Sequence, residues 1–238
     1  MSIACRWLAA LWVGIALVGC GDDSSEPNSG TNVTPQQVLA AASKRLAETP
    51  ALHFQLSVEG QTYVDPAGEI QLISAEGDLA RPNKVRVQFQ VELFSAGNVS
   101  IRMVTIGQES WTTDLLSGNW GPAPAEFGYD PTILFDNQDG LGPVMNRLND
   151  PTLSGQEDIN GRTSYRIDAT ADQASIGPLT GETMDGSPVG VTVWIDEATS
   201  DLLQVKLVEP ASSGKEQPAT WVLTMSDHGE SVEIVPPI

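Results

Sequence analysis

His53 and His228 are the only histidines of this 238-residue chain, and Cys5 and Cys20 are its two cysteines. With 31 aspartates and glutamates, these are the groups able to act as general base, nucleophile or metal ligand. Their spacing argues against each role. His53 falls on the polar parity of the alternating run Leu52 to Glu59, and His228 lies in the turn-like Ser226-Asp227-His228-Gly229. A nucleophile elbow needs Gly-x-Ser-x-Gly at a strand-to-helix turn. Gly107-Gln108-Glu109-Ser110-Trp111 lacks the second glycine and sits in a strand-like stretch. Asp136-Asn137-Gln138-Asp139-Gly140 does not keep the alternating oxygen register of a calcium loop. No pair of acids stands out for glycoside hydrolysis, and no glycine-rich loop has phosphate-binding spacing. The chain is read as a non-enzyme, with no cofactor and no metal.

One thiol does sit in a chemically informative context. Arg6 is the only charge in the first nineteen residues, the run Trp7 to Val18 is apolar, and Leu17-Val18-Gly19-Cys20 closes it. A basic start, a short apolar stretch and small residues at the cut describe a secretory signal. Trp7 to Val18 is too short to span ~30 Å of hydrocarbon at about 1.5 Å per residue. The cysteine after the small residue resembles a bacterial lipobox. That resemblance implies cleavage before Cys20, a diacylglycerol on its sulfur and a mature protein held at the outer face of the cell membrane. Residues 1–19 are then a lipoprotein signal peptide. Residues 20–33 are the lipidated cysteine and a flexible acidic stalk, Gly21-Asp22-Asp23-Ser24 to Val33, whose mean reach is about 20 Å. Residues 34–238 are one folded domain without cysteine, so without disulfide or thiolate metal site.

The formal net charge is −19, with only 12 lysines and arginines. An acidic body of this kind repels nucleic acid and anionic lipid surfaces, which leaves anchoring to the acyl chains.

The elements that must position any site follow from periodicity. Thr34-Pro35-Gln36-Gln37 supplies an N-cap, a proline at the first turn and a capping-box glutamine. Val38, Leu39, Ala42 and Leu46 form one stripe, and Pro50 ends the helix. Alternation then predicts strands at 52–59, 70–79, 85–93, 99–103, 109–113, 163–169, 189–195, 202–208, 220–225 and 232–235. In the middle, Asp130-Pro131 opens an apolar stretch that Gly140, Gly142 and Pro143 divide into two short helices. The split is a candidate lid hinge, and a further small helix is expected at 171–176.

Several segments in order resemble the family of bacterial lipoproteins that includes the mycobacterial envelope lipid carriers, the LppX/LprAFG family. They are Leu52-His53-Phe54, Gly155-Gln156-Glu157-Asp158-Ile159-Asn160-Gly161 followed by Tyr165, Val193-Trp194-Ile195-Asp196, and the final runs Leu223 to Gly229 and Val232 to Pro237. The resemblance implies an α+β fold. It is a bent antiparallel half-barrel of about ten strands with a few helices on its concave face, similar to the LolA/LolB carriers. It also implies an apolar cavity for acylated lipids or glycolipids, and a membrane transporter as partner. Strand parity places Phe54, Leu56, Val87, Phe89, Val91, Ile101 and Met103 on the inward face, with Ile133, Leu134, Met145 and Leu148 covering them. The alternative is an envelope sensor or scaffold acting through protein contacts over a filled interior. Trp194-Ile195-Asp196 reads as a strand end running into the turn Glu197 to Asp201, a role that needs no contact with ligand.

Overall fold

The computed structural model describes residues 33–237, apart from positions 66, 95, 116 and 125–130. The expected leader, Cys20, most of the stalk and the Asp130 cap lie outside the described residues. All described elements belong to the compact unit Val33–Ile238.

The chain opens with α1 (Pro35–Glu48), capped as its sequence predicts. The Thr34 hydroxyl accepts from the Gln37 backbone N–H at 3.3 Å, and the Gln37 side-chain Oε1 accepts from the Thr34 N–H at 3.0 Å. Its buried residues are the predicted stripe Val38, Leu39, Ala42 and Leu46.

Five strands follow: β1 (Ala51–Glu59), β2 (Ile70–Ala80), β3 (Lys84–Leu93), β4 (Gly97–Ile106) and β5 (Glu109–Thr113), then the short β6 (Trp120–Pro122). A 3-10 turn (Pro131–Phe135) and α2 (Leu141–Met145) occupy the two predicted short helices. The second half comprises β7 (Asn149–Ile159), β8 (Arg162–Ala171), α3 (Gln173–Thr180), β9 (Val189–Asp196), β10 (Leu202–Val208) and β11 (Thr220–Ser226).

The fold is α+β: one open antiparallel sheet of 11 strands, in the order β6-β5-β4-β3-β2-β1-β11-β10-β9-β8-β7. Each strand lies beside its sequence neighbour, except that β1 and β11 pair in the middle. The two halves of the chain are therefore two meanders joined along their outermost strands in sequence.

Two expectations needed correction. The sheet has 11 strands rather than about ten, because the three-residue β6 and the irregular β7 lack the alternation that marks a strand. Both are edge strands. The segment Asn149–Ile159 carries Pro151, Gly155 and a mostly exposed side-chain pattern, and its pairing slips twice. Irregularity and charge of this kind blunt an exposed sheet edge, and they also erase the alternation. The run 232–235 is not a strand. Both edges of β1 are already taken, by β2 and β11, so no backbone partner remains for it there. It crosses the outer face instead, where Ile234 packs with Ala51, Ala80 and Val104.

The main core joins α1, α2, α3 and the 3-10 turn to alternate residues of the strands. The sheet face carrying this cluster is the inner face. Gly77 marks a tight approach within it. A Cβ there would lie 2.1 Å from the Arg86 carbonyl oxygen and 2.8 Å from the Val87 Cα, so β2 and β3 meet at this point only without a side chain.

Candidate functional site

Register aligns the inner face into lateral rows. From one edge inward, Leu153 opposes Ile167, Ile167 opposes Val193, and Val193 opposes Val205. Val205 opposes Leu223, which opposes Leu56 across the central β11–β1 pair. Leu56 opposes Ala75, Ala75 opposes Phe89, and Phe89 opposes Ile101. Nine strands thus carry an unbroken apolar row. At about 4.8 Å between strands it runs for about 38 Å along the sheet, more than twice the ~15 Å depth of one bilayer leaflet's hydrocarbon. A second row runs Phe54, Gly77, Val87, Met103.

The structure brings the eleven sequence-predicted apolar residues together. Phe54, Val87, Val91, Ile101, Met103, Leu134 and Met145 are buried in the one cluster. Leu56, Phe89, Ile133 and Leu148 are half-buried and packed against it. Sequence reasoning passed over Ile167, Val193, Val205 and Leu223, although their strands were predicted. The parity of those strands alone would have placed them inward.

The helical layer carries a cleft of about 450 Å³ between α1, the 3-10 turn and α2. Its floor includes Leu46, Leu134 and Phe135, all buried core residues, and Gly142 and Pro143 of the predicted hinge line one side. Gly142 is packed close to α1: a Cβ there would meet the Ser43 hydroxyl at 3.2 Å. Arg81, from the β2–β3 turn, reaches into the cleft. Its guanidinium donates to the carbonyls of Leu46 (3.0 Å), Thr49 (3.1 Å) and Phe135 (3.2 Å), and it stacks 4.4 Å above the Phe135 ring. No signal in the sequence marked Arg81, because its partners come from two distant segments, the end of α1 and the 3-10 turn.

Two polar clamps explain the quoted motifs. Asp196, at the end of Trp194-Ile195-Asp196, accepts from the N–H groups of Ala198 (2.9 Å) and Thr199 (2.6 Å), and from Arg162 Nε (2.8 Å). It shapes the β9–β10 turn, as the sequence reading expected. Asp201, at the end of that turn, accepts from Arg162 and from Arg45 of α1, each at 2.7 Å. This pairing ties the helix to the sheet. Glu157 accepts from the Trp194 indole N–H at 2.7 Å and from Arg166 at 2.9 Å. These two bonds hold its carboxyl below the usual range. The glutamate of one motif thus locks the tryptophan of the other.

The chemically suggestive side chains each make contacts within the fold. His53 Nδ1 lies 2.9 Å from Asp78, which also pairs with Arg86. His228 Nε2 lies 2.9 Å from the Leu202 carbonyl oxygen and donates to it. Burial pushes the His228 ring's pKa down in spite of nearby Asp201. Ser110 Oγ sits 2.9 Å from the Thr105 hydroxyl. Asp136 accepts from the N–H groups of Gln138 (2.7 Å) and Asp139 (2.8 Å), closing its own turn.

An open antiparallel sheet with one continuous apolar face under short helices defines a class: single-sheet α+β domains built around an enclosed apolar face. The description "LppX_LprAFG lipoprotein" matches residues 34–234, and the chain belongs to that family. It is 27% identical over 203 residues to the putative diacylated glycolipid transporter LprF of Mycobacterium bovis, covering 79% of this chain and 73% of that protein. It is 24% identical over 234 residues to the lipoarabinomannan carrier protein LprG of Mycolicibacterium smegmatis, covering 96% and 94%. The fold is similar to the crystal structure of LprF from Mycobacterium bovis (TM-score 0.67, 21% identity, 85% of this chain and 96% of that one). It is also similar to that of LppX from Mycobacterium tuberculosis (TM-score 0.59, 16% identity, 84% and 98%).

Proposed function

We propose that this protein is a membrane-anchored, extracytoplasmic lipoprotein that binds and transfers acylated lipids or glycolipids. In this reading residues 1–19 are the signal peptide, Cys20 carries the lipid, residues 20–33 are the stalk, and residues 34–238 are the binding domain. The sheet acts as a half-barrel, with the acyl chains against its concave inner face. The nine-strand apolar row under a layer of short helices is the observation that carries the reading. The names of the relatives LprF and LprG, a glycolipid transporter and a lipoarabinomannan carrier, support the ligand class.

The energetics suit a carrier. Each CH₂ exposed to water costs roughly 0.8 kcal/mol, so a chain of sixteen carbons needs cover of the order of 10 kcal/mol to cross the envelope. The inner face supplies that cover without any chemical step. Access requires the helical layer to yield. Two of its pieces can do so: a 3-10 turn of five residues and a helix of five, joined through Gly140 and packed through Gly142. Leu56, Phe89, Ile133 and Leu148, the half-buried members of the set, are the first that an entering chain would touch.

The test is native mass spectrometry of the domain from Val33 onward, purified without leader or anchor, followed by solvent extraction. A co-purifying mass of several hundred daltons that extracts as acyl lipid is expected. A domain that stays unliganded after incubation with envelope lipid extract would overturn the carrier and favour a scaffold with a filled interior.

A further inference from the structure

We infer that the cleft between α1, the 3-10 turn and α2 is a phosphate site, taking the anionic headgroup of a lipid whose chains lie beneath it. The inference rests on the carrier reading and adds the chemistry of the head.

The cleft is unusual for this molecule. The chain has 12 basic residues against 31 acids, yet Arg81 and Arg147 both line this one cleft. Arg81 is half-buried and, among the described residues, forms no ion pair with a carboxylate. Its described hydrogen bonds go to three backbone carbonyls, two of them, of Leu46 and Thr49, at the C-terminal end of α1, whose partial negative charge the guanidinium caps. A guanidinium has five N–H donors, and three are used here, so two remain for an anion. Arg147 is exposed and, among the described residues, its side chain pairs with Asp139 at a loose 3.5 Å. Ser43 and Asn146, joined to each other by the Asn146 amide N–H at 2.9 Å, and Asn137 add hydrogen-bonding groups suited to phosphate oxygens or sugar hydroxyls. Among the described residues the one carboxylate lining the cleft, Asp136, turns an oxygen onto the N–H groups of Gln138 and Asp139.

Position completes the argument. The floor of the cleft is Leu46, Leu134 and Phe135, the upper surface of the same core that carries the apolar rows. A headgroup held at Arg81 therefore sits directly above the inner face. Arg81 also pins the 3-10 turn, through the Phe135 carbonyl and ring. An anion that draws the guanidinium away competes with that carbonyl, so binding of the head loosens the segment the chains must pass. Arg is suited to this role because its planar fork binds phosphate through two parallel bonds.

The experiment compares two lipids with identical acyl chains, a phosphatidylglycerol and a diacylglycerol, binding to the domain from Val33 onward. Fluorescent acyl analogues report the affinity. Inorganic phosphate, followed by calorimetry, forms a separate arm. We expect at least a tenfold preference for the phosphodiester lipid, the order given by one charge-assisted bidentate contact. Arg81→Gln should abolish the preference while diacylglycerol still binds. Because Arg81 also ties α1 to the 3-10 turn, the exposed Arg147→Gln is the second variant, and it should reduce the preference severalfold with the fold intact. Equal affinity for the two lipids in the unaltered domain, or a preference unchanged in both variants, overturns the site while leaving the carrier reading standing. If neither lipid binds, the carrier reading fails, and the phosphate arm decides the cleft alone. Phosphate binding lost in the variants makes it a free-phosphate site, and no phosphate binding overturns it.

Discussion

Asp201 offers the sharpest test of how the helical layer is held. Its side chain is 6% exposed and accepts from Arg45, Arg162 and the Thr199 hydroxyl, each at 2.7 Å. Burial alone would raise its pKa. The bonds from Arg162, Arg45 and Thr199 outweigh burial and lower it from 3.8 to about 2. At about 1.4 kcal/mol per decade, that depression favours the folded state by about 2 kcal/mol when Asp201 is ionised. The folded value lies below the unfolded one. The contribution is therefore complete above the unfolded pKa and is lost as pH falls from about 4 towards 2. Asp201→Asn keeps the shape and removes the charge. Urea unfolding, read by tryptophan fluorescence at constant ionic strength, should show the variant about 2–3 kcal/mol less stable at pH 7. The gap should hold down to about pH 5 and narrow by about 2 kcal/mol between pH 4 and pH 2. A gap of constant size from pH 7 to pH 2 would refute the electrostatic account and leave only a packing role. Equal stability at pH 7 would refute the clamp itself.

Three further outcomes follow from the packing. Gly77→Ala should cost about 3 kcal/mol or more, because its Cβ meets the β3 backbone, which cannot move without breaking the β2–β3 ladder; a loss under about 0.5 kcal/mol in a thermal melt would show that the strands separate freely there. Ile234→Ala should cost about 2–4 kcal/mol by emptying its place against Ala51, Ala80 and Val104; unchanged stability would mean that the C-terminal strap is dispensable. Phe89→Trp should lower the amount of lipid extracted from the domain while the far-ultraviolet spectrum is kept; if the variant unfolds, Phe89 belongs to the packed core and leaves the proposed binding face.

Much of this was legible from local order alone. Thr34, Pro35 and Gln37 determine the start of α1 through contacts three residues apart, and the stripe from Val38 to Leu46 determines which side is buried. The alternation in β1, β3 and β4 determines which side chains face the core, and all seven residues chosen on that basis for the inner face are found there. The acidity and the absence of cysteine after Cys20 were likewise visible in the residues themselves.

What alternation could not determine was anything set by a neighbour in space. The strand β7 is hidden in the sequence because an edge is protected by breaking its own pattern, with Gly155 at a positive φ and two slips in pairing. The run 232–235 alternates like a strand, and only the pairing of β1 with β11 shows that it has no edge beside β1. The joining of two meanders into one row of nine strands depends on that same long-range pair. So do the clamps, since Arg45, Arg162 and Asp201 converge from three elements. The cleft depends most on tertiary structure: Arg81 is one unremarked residue in a turn until α1 and the 3-10 turn bring three carbonyls and an aromatic ring around it. Periodicity is a property of one segment and its solvent, so the sequence determined the faces. A site is a property of several segments at once, so only their packing decided what those faces enclose.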